Sequence, residues 1–550
     1  MIAMKSESGN PGRILAVAFI LLVVLMAVGM LYLAWTSPMR RMLSWIEDDG
    51  FYYFKIARNI ASGKGSTFDG INPTNGYHPL WCFLCILVYK LLPGMYSGVR
   101  GIMTLGVVLW TTSMMLMWNC ISSRGRIWAF LGGMLYLTQT VRTATYMSGM
   151  ETGLLVFSLL LLFFLTKKWN LLSADSTLSG DLIFGGLMTL IIFSRLDAVF
   201  LMPGVLIVLA VLCRKDGPSH LIRRCACVFA LPALTLPIYM LINKHAFGTL
   251  MPISGMLKSS FPHIHSQQLV YVQLFRTGMA AGFIALVATV WIIVLTVSGR
   301  LQKKAGERDV AILFVLNTYV VLHLLYTLLY TRWGVFSWYT YPYVPVAILD
   351  MVVLGSWMLG YGLHPSWKSR LLLAMTACVT VAGLLLSIRY FYKAVTDRLP
   401  MSWTDYSYSA ALWVRANTHP DAVLAWTDTG VFGYFADRRV VNLDGLVNSL
   451  EYQEYIADSR LHDFLEKSGV DYYVSSLRGG PKLEELYRKT GAAYDTISCY
   501  LHDREAGRLR LDREHQVYQI EQTASSWAGN TNTTTKRVLR IWRYDSAARH

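Results

Sequence analysis

Stretches of about 20 predominantly apolar residues, the length that a helix needs to cross a bilayer, recur along this chain. They run from Ile14 to about Tyr390 and then stop. The composition agrees, because 54% of the 550 residues are hydrophobic and only 15% are charged. Such a balance is too apolar for a soluble globular protein. The sequence therefore predicts a mainly α-helical, polytopic membrane protein.

About eleven segments are predicted to cross the membrane as helices. They are residues 14–36, 100–119, 127–146, 152–166, 181–194, 198–213, 222–243, 275–298, 309–330, 343–361 and 371–390. A further apolar run at 79–93 is short, and counting it as a span would reverse the direction of every later segment. We interpret it as a juxtamembrane helix that lies along the outer surface.

The loops between alternate spans are basic, as the cytoplasmic loops of membrane proteins are. With the N-terminus inside, the basic residues of the inner loops are Arg124, Arg126, Lys167, Lys168, Arg214, Lys215, Arg223, Arg224, Arg300, Lys303, Lys304, Arg308, Lys368 and Arg370. We therefore interpret the net charge of +16 as a topology signal, and we predict no nucleic-acid partner. An odd number of spans places the loop at 37–99 and the tail on the outer side of the plasma or inner membrane.

The composition changes after the last apolar segment. Polar helical stretches there alternate with short β-rich runs at 422–426, 439–443 and 471–476, a pattern typical of a small α/β domain. The chain is therefore predicted to have two parts. Residues 1–390 form a transmembrane helical bundle with a large first outer loop, and residues 391–550 form a soluble extracytoplasmic α/β domain.

The first outer loop opens with three consecutive acids, Glu47, Asp48 and Asp49, followed by a segment with apolar residues near helical spacing. Acids at a helix N-terminus are often only favourable partners of the helix dipole. Three adjacent carboxylates also repel one another, so at least one should have a raised pKa, as a general base requires. We favour the catalytic interpretation.

Four short stretches carry a resemblance to a known family. They are EDDGFYYFKIARNIASGKG at 47–65, GMETGLL at 149–155, FGTLMPISGMLK at 247–258 and RWGVFSWYTYPYVP at 332–345. In this order they resemble motifs of the GT-C superfamily of membrane glycosyltransferases, in particular its bacterial arabinofuranosyltransferase-like branch. The resemblance covers most of the membrane part and implies a GT-C-like helical bundle.

The resemblance also implies an activity. Members of the superfamily transfer a sugar from a polyprenyl-phosphate donor to an acceptor, with an acid of the first loop as the proposed base. Carried over, this makes Asp48 and Asp49 the catalytic candidates, which the sequence does not separate. The expected enzyme is a hexosyl- or pentosyltransferase whose acceptor is a glycan or glycolipid of the cell envelope, and membrane lipids are its other partners.

A polyprenyl-phosphate leaving group is anionic, so cations at the outer face should stabilise its departure. The substrate-binding candidates on that face are His78, Arg142, Glu151, Arg195, Lys258 and Arg332. Several have an alternative interpretation. His78 is equally explained by interfacial packing, Glu151 by the dipole of the following helix, and Arg195 by an ion pair with Asp197. Lys258 and Arg332 have no acid next to them in sequence, and we favour them for phosphate contact.

No nucleotide-binding glycine loop is found, which favours a lipid-linked donor over a nucleotide sugar. No cofactor is predicted with certainty, and a divalent cation stays open. The alternative function is a polytopic transporter or lipid-linked-sugar flippase. Transporters usually contain repeated halves, which this sequence lacks. Asn317, His323 and Asp350 lie within predicted spans and are interpreted as buried, hydrogen-bonded side chains.

Overall fold

The computed structural model describes residues 11–265, 277–297, 307–358, 403–476, 493–502, 504–525 and 534–544, with isolated positions between 381 and 396 and the pair 488–489. The chain divides into two compact units. The helical unit comprises Met1–Thr36, Met103–Pro237 and Phe261–Val395. The mixed unit comprises Ser37–Ile102, Ile238–Ser260 and Thr396–His550. Residues of the first loop and of the tail therefore belong to one unit, while the predicted domain boundary near residue 390 stays a prediction.

The first 358 residues form helices wherever they are described in regular structure. These are α1 (Pro11–Thr36), α2 (Met39–Met42), α3 (Asp48–Ala61), α4 (Pro79–Leu91), α5 (Met95–Ser122), α6 (Arg126–Thr143), α7 (Thr152–Trp169), α8 (Leu178–Ser194), α9 (Leu201–Leu212), α10 (Pro218–Phe247), α11 (Ile253–Lys258), α12 (Thr277–Val297), α13 (Glu307–Tyr330), α14 (Ser337–Thr340) and α15 (Tyr343–Met358). A 3₁₀ turn at Leu196–Phe200 precedes α9.

Each predicted span from 14–36 to 343–361 coincides with one of these helices, whereas the last one, 371–390, falls almost entirely outside the described residues. Five helices in the described part are long and apolar enough to cross a membrane, and α4, α8 and α9 are shorter apolar helices. The chain is therefore a multi-pass membrane protein. The total of about eleven spans stays a prediction.

Ion pairs join ends of several helices within the helical unit. Asp309 at the start of α13 accepts from Arg124 at 2.6 Å and lies 3.2 Å from Lys167 at the end of α7. Asp181 of α8 forms a two-pronged pair with Arg224 of α10, at 2.8 and 3.0 Å. Both groups involve basic residues from loops that were predicted to share the inner side of the membrane, so the structure brings these loops together.

The tail contains the predicted α/β structure. Its elements are α16 (Trp403–Asn417), β1 (Val423–Trp426), α17 (Gly430–Phe435), β2 (Arg439–Asn442), α18 (Leu450–Ala457), α19 (Leu461–Lys467), β3 (Tyr472–Ser475), β4 (Ala493–Cys499), β5 (Arg504–Leu511), β6 (Gln516–Ser525) and β7 (Thr534–Arg543). The three strand runs expected from sequence are β1, β2 and β3, which confirms that prediction.

Five strands form one sheet in the order β2-β1-β3-β7-β6, and β4 pairs with β5 in a separate hairpin. β1 is parallel to both of its neighbours, with Ala425 opposite Val441 on one side and Tyr473 on the other. β7 runs antiparallel to β3 and β6. Buried side chains of β1, β2, α18, α19 and the hairpin share one apolar core, which fixes the loops that follow β1 and β2.

Candidate functional site

The acidic loop is held in the mixed unit by aromatic packing. α3 begins at Asp48, directly after the extended residue Glu47. On its buried face, Phe51 lies 5.4 Å from the rings of both Tyr434 and Phe435 of α17. Aromatic pairs at this separation contribute beyond the area they bury. The aromatic residues after the acids therefore attach the start of α3 to α17.

Asp48 is turned towards the start of α17. Its Oδ1 accepts a hydrogen bond from the N–H of Val431 at 2.8 Å, and its Oδ2 accepts from Gly430 at 3.1 Å. The residue is only 6% exposed. Burial raises the pKa of Asp48 well above its usual value, although the two backbone donors act in the opposite direction and the charges of Asp428 and Asp49 add to the rise. Both oxygens of Asp48 are thus engaged by the backbone.

Asp49 has a different environment, although it is the next residue. Its side chain is 23% exposed, and its Oδ2 lies 3.8 Å from Nζ of Lys258, whose side chain is 21% exposed. The structure therefore brings together a predicted base and a predicted phosphate-binding cation that are far apart in sequence.

Lys258 is positioned by an asparagine that sequence reasoning did not single out. The side-chain amide of Asn75 donates to Asn243 at 3.0 Å and to Thr249 at 3.1 Å. Its oxygen accepts from the N–H of Ile253 at 3.0 Å, at the start of the helix that ends with Lys258. The only signal in the sequence was a run of turn-forming residues, NPTNG, which does not reveal partners more than 160 residues away.

Two further carboxyl groups near Asp49 have raised pKa values. Asp444, after β2, accepts from the N–H of Leu446 at 2.8 Å and from the hydroxyl of Tyr52 at 3.1 Å. Burial raises the pKa of Asp444 to about 8, and the charges of Asp428 and Asp49 add to this rise. Burial together with the charge of Asp49 likewise raises the pKa of Glu47 to about 7.

His78 lies just before α4, and its backbone N–H donates to the hydroxyl of Tyr53 at 3.3 Å. This contact ties the end of the first loop to α3. A binding role for the imidazole stays a prediction.

The remaining candidates belong to the helical unit. Arg195 is 1% exposed and donates to Asp197 at 2.9 Å and to the carbonyl of Trp338 at 3.1 Å. Its guanidinium lies 3.9 Å from Glu151 and 5.1 Å from the ring centroid of Tyr339. These contacts match the ion-pair interpretation of Arg195, and its role in substrate binding stays a prediction.

The same group of side chains includes a histidine that the sequence identified only as a polar residue in a span. His323 lies 2.9 Å from Asp197 through Nε2 and 2.5 Å from the hydroxyl of Tyr343 through Nδ1. It is buried and hydrogen-bonded, as expected. Arg332 is half-buried just after α13, and the side chain of Arg142 lies outside the described residues.

Among the residues that the structure describes, no group of three or more His, Cys, Asp or Glu side chains is placed to hold a metal ion. Both oxygens of Asp48 already accept backbone hydrogen bonds. The involvement of a divalent cation stays a prediction.

Comparisons with known proteins identify the fold. The structure of ArnT from Cupriavidus metallidurans bound to undecaprenyl phosphate is similar with a TM-score of 0.50 at 13% identity, over 90% of this chain and 98% of that one. The oligosaccharyltransferase of Archaeoglobus fulgidus in its apo form gives a TM-score of 0.48 at 11% identity, over 83% and 69% of the two chains. The chain thus has a fold similar to that of the ArnT structure, and its assignment to the GT-C superfamily rests on the motif resemblance. The arabinofuranosyltransferase-like branch stays a prediction.

The sequence comparisons are less informative. Residues 399–527 match a family described as a domain of unknown function (DUF8728), which covers most of the tail. No curated protein sequence matches the chain.

Proposed function

We propose that this protein is a membrane glycosyltransferase that transfers a sugar from a polyprenyl-phosphate donor to a hydroxyl group of a glycan or glycolipid on the outer side of the membrane. The observation that carries this proposal is the approach of Asp49 to Lys258, 3.8 Å apart and both partly exposed. The fold supports it, because the similar ArnT structure was solved with undecaprenyl phosphate bound.

The pair supplies the two charges that the reaction needs. As the acceptor oxygen bonds to the anomeric carbon, it loses its proton, which the carboxylate of Asp49 accepts. The bond from the anomeric carbon to the phosphate oxygen breaks at the same time, and its electron pair leaves with the polyprenyl phosphate. The ammonium of Lys258 stabilises that anion by a charge-assisted hydrogen bond.

Asp49 is a better candidate for the base than Asp48. A base must come within hydrogen-bonding distance of the proton that it removes. Both oxygens of Asp48 accept from the backbone of Gly430 and Val431, which leaves Asp49 with the more accessible carboxylate. We assign Asp48 to positioning, because it fixes the start of α3 against α17.

The proposal also specifies the class of sugar and the residues that contact the substrates. The motif resemblance favours a pentose of the arabinofuranose type, and a hexose is the other candidate. The remaining cations, Arg142, Arg195 and Arg332, and the residues His78 and Glu151, are proposed to contact donor or acceptor.

The experiment uses purified protein in lipid nanodiscs with undecaprenyl-phosphate pentoses and hexoses and an extract of cell-envelope glycans. We expect Asp49→Asn to reduce glycosidic transfer by roughly a hundredfold, the usual contribution of a general base. Asp458→Asn, a change at an exposed aspartate paired only with Arg460 among the contacts described, is the matched control and should retain full transfer.

Full transfer by Asp49→Asn would overturn the assignment of the base. If wild-type protein reconstituted in sealed lipid vesicles moves the lipid-linked sugar across the bilayer without forming a glycosidic product, the protein is a flippase and the proposed function is wrong.

A further inference from the structure

The loops that follow β1 and β2 carry acids on one edge of the sheet. Asp428 comes two residues after the end of β1, and Asp444 two residues after the end of β2. The two strands are parallel, so both loops leave the same edge. In open sheets of this kind, ligands bind outside the carboxyl ends of the strands. The charge of Asp428 also contributes to the raised pKa of Asp444.

A buried glutamine beside these acids has no hydrogen-bond partner in the described part of the chain. Gln453 of α18 is 1% exposed, and neither its amide oxygen nor its nitrogen is paired. Such a group is costly to bury, because a lost hydrogen bond is not replaced by water. The unpaired amide of Gln453 is therefore a candidate partner for a bound ligand.

The position of this amide relates it to Asp444. Gly445, the next residue, has a φ of +83°, and a Cβ there would lie 2.2 Å from Nε2 of Gln453. The glutamine amide is thus packed against the backbone of the acidic loop. The same Cβ would lie 3.2 Å from Leu257, the residue before Lys258. The loop after β2 therefore lies between the glutamine and the segment that carries the proposed phosphate contact.

An aromatic residue completes the group. Tyr500 follows β4 at the turn of the hairpin and is half-buried. Burial raises the pKa of Tyr500 to about 12, and the charges of Asp444 and Asp428 contribute to this shift. The phenol consequently lies within electrostatic range of both acids.

We propose that Asp428, Asp444 and Gln453 form a subsite for the acceptor, and that its ligand is a hydroxyl-rich sugar ring. Carboxyl oxygens accept hydrogen bonds from sugar hydroxyls, and an amide both donates and accepts, so together they can pair with neighbouring hydroxyls of one ring. This inference rests on the proposed function and names the substrate class of that same site.

Binding is measured directly, so the test does not depend on turnover. The full-length protein in nanodiscs is titrated with methyl arabinofuranoside, methyl glucopyranoside and methyl mannopyranoside, and binding is followed by saturation-transfer NMR. We expect saturable binding of at least one glycoside to the wild-type protein. Asp428→Asn and Gln453→Leu should weaken it roughly tenfold or more, because each removes a partner of a sugar hydroxyl.

Gln516→Leu is the matched control for the glutamine, since Gln516 is half-buried and bonds only to the side chain of Gln519 at 3.4 Å among its described side-chain contacts. Asp458→Asn is the matched control for Asp428→Asn. Both should bind the glycosides as the wild-type protein does. Thermal melting of every variant separates a loss of binding from a loss of folding, and the exposed Asp428 should tolerate its substitution.

Equal glycoside affinity in the wild-type protein, Asp428→Asn and Gln453→Leu would overturn the subsite, as would the absence of saturable binding of all three glycosides. A rise in melting temperature with Mg²⁺ that Asp428→Asn abolishes would overturn it too, because the acids would then bind a cation. Failure of the proposed function looks different, since glycosides would bind while no lipid-linked sugar is transferred.

Discussion

At the scale of residues, three adjacent acids have three different environments. Asp48 is buried and bonded to the backbone of α17, Asp49 is partly exposed beside Lys258, and Glu47 is half-buried with a pKa raised to about 7. The difference arises from neighbours that are distant in sequence. General-base chemistry needs both basicity and access to the acceptor, and the carboxylate of Asp49 is more accessible than that of Asp48.

Asp444 should make stability depend on pH. The ordinary pKa of its carboxyl group is 3.8, and burial raises this pKa to about 8 in the folded protein. Between these values the folded state holds a proton that the unfolded state has lost, so the free energy of unfolding falls as pH rises from about 4 to about 8. Asp444→Asn removes this titration. We expect its melting temperature to exceed that of the wild-type protein by an amount that grows from pH 5 to pH 8 and reaches roughly a few degrees.

Thermal melting across this pH range checks the prediction, with Asp458→Asn as the exposed control. Melting temperatures of the wild-type protein and Asp444→Asn that stay a constant distance apart from pH 5 to pH 8 would contradict it.

At the scale of elements, the short helix α17 connects the tail to the acidic loop. All six of its residues are buried. Its first two N–H groups are capped by Asp48, and Tyr434 donates from its hydroxyl to the carbonyl of Met95 at 2.5 Å. Because one small element contacts both α3 and the start of α5, a change in its backbone should displace the acids.

Gly430→Ala tests this connection. A Cβ at residue 430 would lie 2.1 Å from the carbonyl oxygen of Asp48 and 2.5 Å from its Oδ2, closer than atoms approach without displacement of the backbone. We expect a lower melting temperature and a glycosyl transfer rate reduced by roughly tenfold or more, since a small displacement of a catalytic group can cost that much.

Gly255→Ala is the control, because a Cβ there meets nothing within 4 Å and it lies in α11, the helix that ends at Lys258. Transfer and melting temperature should stay at wild-type values. Wild-type behaviour of Gly430→Ala in both measurements would show that α17 does not position the acids.

At the scale of the whole molecule, charged residues at the ends of helices form two separate clusters. Arg124, Lys167 and Asp309 meet in one cluster of the helical unit. Glu151 and Arg195 meet in another. The residues of the first cluster are predicted to lie on the inner side of the membrane, and those of the second cluster on the outer side. Alternating spans explain this sorting, because each helix that crosses the membrane carries the chain to the opposite side.

Cysteine labelling of intact cells tests the orientation. We expect Lys64→Cys, at an exposed position of the first loop, to react with a membrane-impermeant maleimide from outside. Arg214→Cys, at an exposed position after α9, should react only after the membrane is opened. The unchanged protein measures background from its native cysteines. The reverse pattern at both positions would show that the predicted orientation is inverted.

Local sequence patterns predict the long apolar helices and three of the seven described strands. An apolar segment of about 20 residues must satisfy its backbone hydrogen bonds within itself in a membrane, so α1, α5 to α10, α12, α13 and α15 lie where the apolar segments predicted them. The short runs that became β1, β2 and β3 are similarly local signals. The acids of the first loop and Lys258 were also found from residue type and motif order.

Which of those residues lie together depends on the tertiary structure. Asp48 and Asp49 are neighbours with the same chemistry, and their difference comes from Gly430, Val431 and Lys258. The roles of Asn75 and Gln453 could not be predicted from the sequence either. The role of an amide side chain depends on the groups to which it hydrogen-bonds, and those of Asn75 lie far away in the chain. Burial and hydrogen bonding depend on contacts between segments that are distant in the chain. A local sequence pattern does not predict which individual residues make those contacts.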